Sequence, residues 1–424
     1  MASSYLSRTF DQVGNRRKWT WSGWYKRTSI GSQGNLFATS SGSTSFHLIY
    51  FDGNNKLAHN INQTACNTNA AYTDTAAWYH VVFTIDTAQA TASDRIKIYV
   101  NGVQQTTTGS YPSQNSDMTI NTTVRHDISN QGAHYSNNNY YDGAMAHLHF
   151  CDGYAYAASD FGETDSTTGI WKPKTSPSVT YGTNGFFLKM DNSANMGLDS
   201  GGGAHNFTTS GTILQYKDTP SNNMPQLNNN DKYAAAITNA GHTVTNESNS
   251  ATGVMSTLAV KTGKWYWEAK VEDSPNDYFN VGMRKTGQNN YNVNDWAYSS
   301  GAFVYAVNGY IYKDGSQSTN TGTTAAVGDI IGFIVDLDAG TVKLQKNGAN
   351  MYSGNAVVTG LNTGDFWHVV QGASNSKASF NFGNGYFGTT AITSAGSNGN
   401  GLLFEYDVPS GHYGISTKNM AGNS

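Results

Sequence analysis

The sequence predicts an all-β chain, folded as two antiparallel β-sandwiches in tandem. Three observations carry this. Aromatic residues make up 12% of the 424, with Tyr 26 and Trp 9, and Gly reaches 46 against only 7 Pro. That is the composition of aromatic strands joined by glycine turns. Short apolar segments end repeatedly in turn pairs such as Asp52-Gly53, Asn101-Gly102 and Asn347-Gly348. No long stretch spaces its apolar residues at the helical period. Charge is sparse: charged residues are 13%, and Lys+Arg 25 against Asp+Glu 29 leaves a net charge of −4. This excludes a strongly basic, phosphate-seeking surface and disorder driven by charge excess.

The strands follow in order. Residues 19–25, Trp-Thr-Trp-Ser-Gly-Trp-Tyr, alternate aromatic and small side chains. Residues 46–51 and 56–61 flank Asp52-Gly53-Asn54-Asn55 and read as a hairpin. Residues 78–85 form a further strand. In 95–100, Ile96, Ile98 and Val100 alternate with Lys97 and Tyr99. Asn101-Gly102 tolerates the positive φ angles of a type I′ turn, so 103–106 return antiparallel. Residues 143–150 set Met145, His147 and His149 on one face and Ala146, Leu148 and Phe150 on the other. A short helical turn is expected near 156–161. Residues 216–231 are polar, hold Pro220 and Pro225, and read as a linker. Beyond it, 264–271, the apolar run 330–337 and 341–346 resume the strand pattern. The expected domains are therefore 1–215 and 232–424. No internal repeat of fixed period is present.

The first half resembles the laminin G-like, concanavalin A-like jelly-roll superfamily. The likeness rests on Trp78-Tyr79-His80-Val81-Val82-Phe83-Thr84, Ile96-Lys97-Ile98-Tyr99-Val100-Asn101-Gly102 and Asp142-Gly143-Ala144-Met145-Ala146-His147-Leu148. Gly185-Phe186-Phe187-Leu188-Lys189-Met190-Asp191, with Asp199-Ser200-Gly201 through Phe207, resembles that family's opening segment placed at the domain's end, as in a permuted jelly roll. The second half resembles a SPRY domain in Gly263-Lys264-Trp265-Tyr266-Trp267-Glu268, Val281-Gly282-Met283, Gly328-Asp329-Ile330-Ile331-Gly332-Phe333, Asp336-Leu337-Asp338 and Lys346-Asn347-Gly348. The resemblance implies two concanavalin A-like sandwiches. The pairing, with Tyr5-Leu6-Ser7-Arg8-Thr9, Ser159-Asp160-Phe161-Gly162-Glu163 and Gly169-Ile170-Trp171-Lys172-Pro173, is similar to virion-associated proteins of marine tailed bacteriophages. That implies a structural or glycan-binding part of a phage particle.

Catalytic chemistry finds little support in the pattern. Glu268 and Glu272 share a strand face, but Ala269, Lys270 and Val271 fill the interval where a glucanase would alternate acids. His147 and His149 form half a metal site at most; His126, Asp127 and His134 add candidates by count only, and no metal or other cofactor is expected. No nucleophile signature has local support, and Gly201-Gly202-Gly203 lacks the Lys-Ser/Thr of a phosphate loop. Arg16-Arg17-Lys18 reads as a solvated edge or an interface contact. Cys66 and Cys151 read as buried free thiols, with pairing the alternative. No apolar leader opens the chain and no run of about 18 apolar residues occurs, so no membrane span is expected.

Loop binding is the better expectation. Two segments interleave amides and acids with aromatic rings, as sugar sites and protein hot spots both do. One supplies Tyr135, Asn138, Tyr140 and Tyr141; the other supplies Tyr291, Asn292, Asp295, Trp296 and Tyr298. The expected protein is a non-enzymatic virion component, made in the host cytoplasm, acting as a decoration, knob or tail-fibre adaptor. No shaft-like repeat is visible to build a complete fibre. Its partners would be capsid or tail proteins and further copies of itself, not nucleic acid. The alternative is a lectin-type receptor-binding protein for host surface polysaccharide; a glycan depolymerase is the third reading.

Overall fold

The computed structural model describes residues 4–132, 139–233, 235–246, 252–274, 279–287, 301–373 and 375–423. The backbone divides into two compact units, Met1–Gln215 and Tyr216–Ser424. Each is an antiparallel sandwich, as the composition and alternation predict.

In the first unit, one sheet orders its eight described strands as Thr107–Gly109, Thr64–Thr68, Leu57–Ile61, Ser45–Phe51, Gly34–Gly42, Arg125–Ile128, Tyr5–Thr9 and Thr208–Ser210. The facing sheet runs Phe186–Leu188, Gly143–Asp152, Lys18–Arg27, Trp78–Asp86, Ile96–Val100 and Val103–Gln104. The inward side chains alternate along each strand and fill the space between. Trp21 stacks on Phe37 with ring centroids 4.4 Å apart and planes 2° apart, and Phe83, Ile98, Phe150 and Phe186 close around them. Asn101 and Gly102 take φ of 49° and 86°, the geometry expected of their hairpin. The late segment joins both sheets: Phe186–Leu188 pairs with Gly143–Asp152, and Thr208–Ser210 pairs with Tyr5–Thr9. Asp199 ties it down, its carboxylate accepting from the backbone N–H groups of Phe187, Gly201 and His205 at 2.7–2.9 Å.

In the second unit, one sheet runs Leu227–Tyr233, Thr252–Val260, Trp367–Ala373, Asn280–Lys285, Ala302–Ala306, Tyr310–Lys313 and Ser316–Asn320. The other runs Ala236–Thr238, Thr243–Asn246, Ser376–Asn381, Lys264–Asp273, Ile330–Asp336, Thr341–Lys346 and Ala349–Asn350. Trp267 stacks on Phe333 at 3.8 Å in the core between them. Ser376–Asn381 pairs only with the 268–273 half of its neighbour, and Tyr413–Gly414 lies parallel against Trp265 and Tyr266 in the place left over.

One expectation needs correcting. The 216–231 segment is not a free linker. Met224 and Leu227 are fully buried in the second core, and a strand begins at Leu227. Two isolated apolar residues among polar neighbours give no periodicity, yet burying each contributes about 1.5–3 kcal/mol. The short turn near 156–161 is a 3-10 helix at Ala158–Asp160.

Candidate functional site

Of the residues expected to bind, Tyr135, Asn138, Tyr291, Asn292, Asp295, Trp296 and Tyr298 lie outside the described residues. Tyr140 and Tyr141 are described, and they part company. Tyr141 is a core residue, packed edge-on to Tyr25 at 5.7 Å and against Phe51 at 6.3 Å. Its hydroxyl is buried with no hydrogen-bond partner among the described residues, and burial drives its pKa far up. It is no surface contact, because a chain entering a strand turns alternate side chains inward.

Tyr140 stays at the rim of the eight-stranded sheet, its ring 6.2 Å from Tyr5 and 23° from parallel. The Arg125 guanidinium sits 5.0 Å over the Tyr5 ring. Arg125 and Asp127 are two apart on one strand, hence on one face, and make a bidentate pair at 2.7 and 3.0 Å. Burial raises the Asp127 carboxyl, while Arg125 and the Asn130 amide oppose the rise. The amides around this patch are spent on the loop itself. Asn35 donates its backbone N–H and its Nδ2 to the Asn139 carbonyl at 3.1 and 2.9 Å. Asn139 Nδ2 donates to Gln131 Oε1 at 2.8 Å. The open chemistry is therefore two phenol rings and a guanidinium edge on a rigid strand end. Tyr5 and Arg125 were missed from the sequence; the i, i+2 spacing of Arg125 and Asp127 was the available signal.

Of the candidate metal and catalytic groups, His134 lies outside the described residues, His147 has a buried Nδ1 with no hydrogen-bond partner among them, and the others are occupied otherwise. His126 and Asp127 face opposite sides: His126 packs under Phe10 at 4.4 Å and its Nε2 accepts the Asn121 N–H at 3.0 Å. His149 stacks on Phe187 at 4.0 Å and meets the Tyr181 hydroxyl, and a β-bulge separates it from Ala146 in the pairing with Lys18–Arg27. Among the described residues no three His, Cys, Asp or Glu converge as metal ligands. His80 and Ser22 form a buried pair, Nε2 to Oγ 2.9 Å. Trp171 Nε1 donates to His80 Nδ1 at 3.1 Å. An indole is only a donor, so Nδ1 accepts and Nε2 carries the hydrogen, which it gives to Ser22. That tautomer is the reverse of a general base acting on a serine. The arrangement pins Trp171 over the Asn101-Gly102 turn, where a Cβ on Gly102 would meet its ring at 2.9 Å.

Glu268 is fully buried, and four donors surround its carboxylate: Tyr266 hydroxyl and Tyr406 N–H on Oε1, Asn381 Nδ2 and Glu405 N–H on Oε2, all at 2.9–3.1 Å. Desolvation pushes it up to about 7 despite these donors. It clamps the C-terminal segment onto the sheet and presents no oxygen to a substrate. Glu272, further along the same strand, lies 3.8 Å from Lys270. The basic run is paired as well: Arg16 and Arg17 both meet Asp117, and Lys18 meets Asp86. Cys66 and Cys151 are free and buried.

Residues 2–160 match the family model of the concanavalin A-like lectin/glucanases superfamily, laminin G type. Residues 264–385 match that of the SPRY domain. The chain thus carries a laminin G-like, concanavalin A-like domain and a SPRY domain. Among solved structures it is similar to the SPRY domain of human HERC1, at 18% identity and a TM-score of 0.31, covering 36% of this chain and 96% of that one. It is also similar to a human SPRY domain, at 14% identity and 0.27, covering 35% and 95%. A third is the TRIM65 PSpry domain, at 10% identity and 0.30, covering 37% and 91%. No curated protein matches the chain. SPRY domains mediate protein–protein interactions, and the two matches indicate a protein-binding or carbohydrate-binding β-sandwich module.

Proposed function

We propose that this protein is a non-enzymatic structural component of a tailed-phage particle, a decoration, knob or tail-fibre adaptor that docks to other virion proteins through its sandwich surfaces. The observation that carries the docking reading is the Tyr5–Arg125–Tyr140 patch. Its amides are consumed within the loop, which removes the planar side-chain amides that a sugar site commonly uses. Its rings and guanidinium are the side chains that dominate protein hot spots. The virion setting is supported by the resemblance of the paired domains and of the opening segment. Repetition in a particle would give avidity to a modest single contact. Mass spectrometry of gradient-purified particles tests the setting: the protein should be present in multiple copies, and its absence from particles ends the proposal. Recombinant protein should also dock to particles lacking it, and Arg125→Ala with Tyr140→Ala should lower that docking at least about tenfold. Saturable hydrolysis of a glucan or host polysaccharide by the purified chain would overturn the non-enzymatic part.

A polar cleft on the second sandwich favours a second reading, that the chain takes a glycan on the host surface. Glycan-array binding by the full chain separates the two readings.

A further inference from the structure

The outer face of the second unit's eight-stranded sheet is covered at one end and open at the other. The C-terminal segment crosses Tyr266 and Glu268. Past it, Glu272, Thr243, Ser379 and Lys377 remain, and the hairpin Tyr386–Phe387 with Thr390–Ala391 stands beside them. Between hairpin and sheet is an open cleft of about 120 Å³, lined also by Asn239 and Gly388. Asn239, Thr243 and Gly388 lie outside the stretch that matches the SPRY family, 264–385. The cleft is thus built partly from additions that flank that domain.

Its floor is a chain of buried hydroxyls. Asn239 Nδ2 donates to Thr243 Oγ1 at 2.9 Å, and Thr243 Oγ1 and Ser379 Oγ share a hydrogen at 3.0 Å. Both hydroxyls are 1% exposed and are engaged with one another and with Asn239, so they fix the floor, while the hydroxyls open to the cleft are those of Thr389 and Thr390. The register of Lys264–Asp273 against Ser376–Asn381 shifts between Val271 and Asp273. Such a bulge re-aims a side chain, and here it lies at Glu272. Lys377, on the neighbouring strand across from Asp273, is exposed and forms no ion pair among the described residues. Gly388 keeps the cleft open. It has φ 61°, and a Cβ there would lie 3.0 Å from Thr243 Oγ1, 3.1 Å from Asn239 Nδ2 and 3.2 Å from Ser379 Oγ.

We infer that this cleft binds a single neutral pyranose ring, the terminal sugar of a glycan. The inference rests on the second reading above. Glu272 with Lys270, 3.8 Å away, and Lys377 with its cross-strand neighbour Asp273 sum to no net charge, which disfavours an anionic or cationic ligand. A carboxylate accepts from two vicinal hydroxyls, the ammonium donates to a ring or hydroxyl oxygen, and the exposed Thr389 and Thr390 hydroxyls do either. The cleft is on the scale of one ring and open to solvent, so any further sugars of a glycan would extend out of it.

The test titrates the full chain with methyl glucoside, galactoside, mannoside and N-acetylglucosaminide, by calorimetry and saturation-transfer NMR. One of them should bind with a Kd of about 1 mM or tighter. Glu272→Gln and Lys377→Met, surface changes that leave the fold intact, should each weaken it at least about tenfold. Lys343→Met, an exposed change elsewhere on the same sheet, should leave it unchanged. Saturable binding untouched by both cleft variants overturns the site while leaving glycan binding standing. No saturation by any glycoside overturns the site, and a simultaneous blank glycan array removes the reading beneath it. Preference for a zwitterion such as glycine over every glycoside overturns the ligand class.

Discussion

Acid should unfold the first sandwich selectively. Its interior holds His59, His80 and His126 wholly buried, and desolvation lowers each to about 3. His47 and His149 are lowered further, first by burial and then by neighbouring imidazoles. The His47 and His59 Nε2 atoms are 2.6 Å apart, so only one of them carries a hydrogen and a second proton has no acceptor. In the unfolded chain such rings titrate near 6.5. Because the folded pKa is depressed, the unfolded state binds more protons below 6.5, and stability falls as pH falls from there towards 3. At pH 5 each ring whose folded pKa is near 3 costs about 2 kcal/mol. Three cost about 6 kcal/mol, comparable with the whole stability of a typical domain, and His47 and His149 add to it. Asp127 and Asp142, raised mainly by burial, offset part of this at the acid end. In the second unit Glu268, raised to about 7 by desolvation, works the other way. Its folded state binds the extra proton, so that unit gains on the order of 2 kcal/mol between neutrality and pH 5, with His368 and His412 opposing. Peptide-resolved hydrogen exchange at pH 7 and pH 5, corrected for intrinsic rates, reads both units at once. Peptides from Lys18–Arg27 and Trp78–Asp86 should lose about four orders of magnitude of protection, and those from Lys264–Asp273 and Ile330–Asp336 should not. Protection in the first unit that stays within tenfold would refute the burial argument.

Other substitutions separate structural from contact residues. Glu268→Gln turns one carboxylate oxygen into a donor facing a backbone N–H, and urea titration of the second unit should show a loss of about 1–3 kcal/mol. Tyr141→Ala should cost about 3–5 kcal/mol by cavity formation, whereas Tyr140→Ala should change stability by less than about 0.5 kcal/mol; equal effects would contradict their placement. The Cys66 thiol is pushed up to about 12 by burial and Cys151 is raised for the same reason. Neither should react with Ellman's reagent in the native protein, and both should in urea.

Strands whose sides face one wet and one dry surface were legible in the chain. Ile96, Ile98 and Val100 are buried where Lys97 and Tyr99 are not, and Asn347-Gly348 takes the positive φ angles expected of it. Gly34–Gly42, Arg125–Ile128 and Tyr5–Thr9 were not legible. Their inward residues include Thr39 and His126, which read as polar but are buried with hydrogen-bond partners. The linker expectation failed for a related reason: Met224 and Leu227 are only two apolar residues among polar neighbours, too few to form a pattern, and distant strands decide that they are core. The binding expectation divided at Tyr140 and Tyr141, where nothing local says which of two adjacent rings turns inward.

By itself the sequence determined the fold class and the hairpin turns, because alternation and turn chemistry are short-range and each is written within a few residues, while the two kinds of sandwich came from the resemblance of their motifs to known families. Tertiary structure alone decided which polar groups are available. Glu268, His80 and Asn35 are polar residues that nothing local marks as engaged, but each is saturated by a partner from another segment, 137 residues away in the case of Glu405 and Glu268. Availability of a side chain is set by what packs against it, and that is a property of chain closure rather than of any local window.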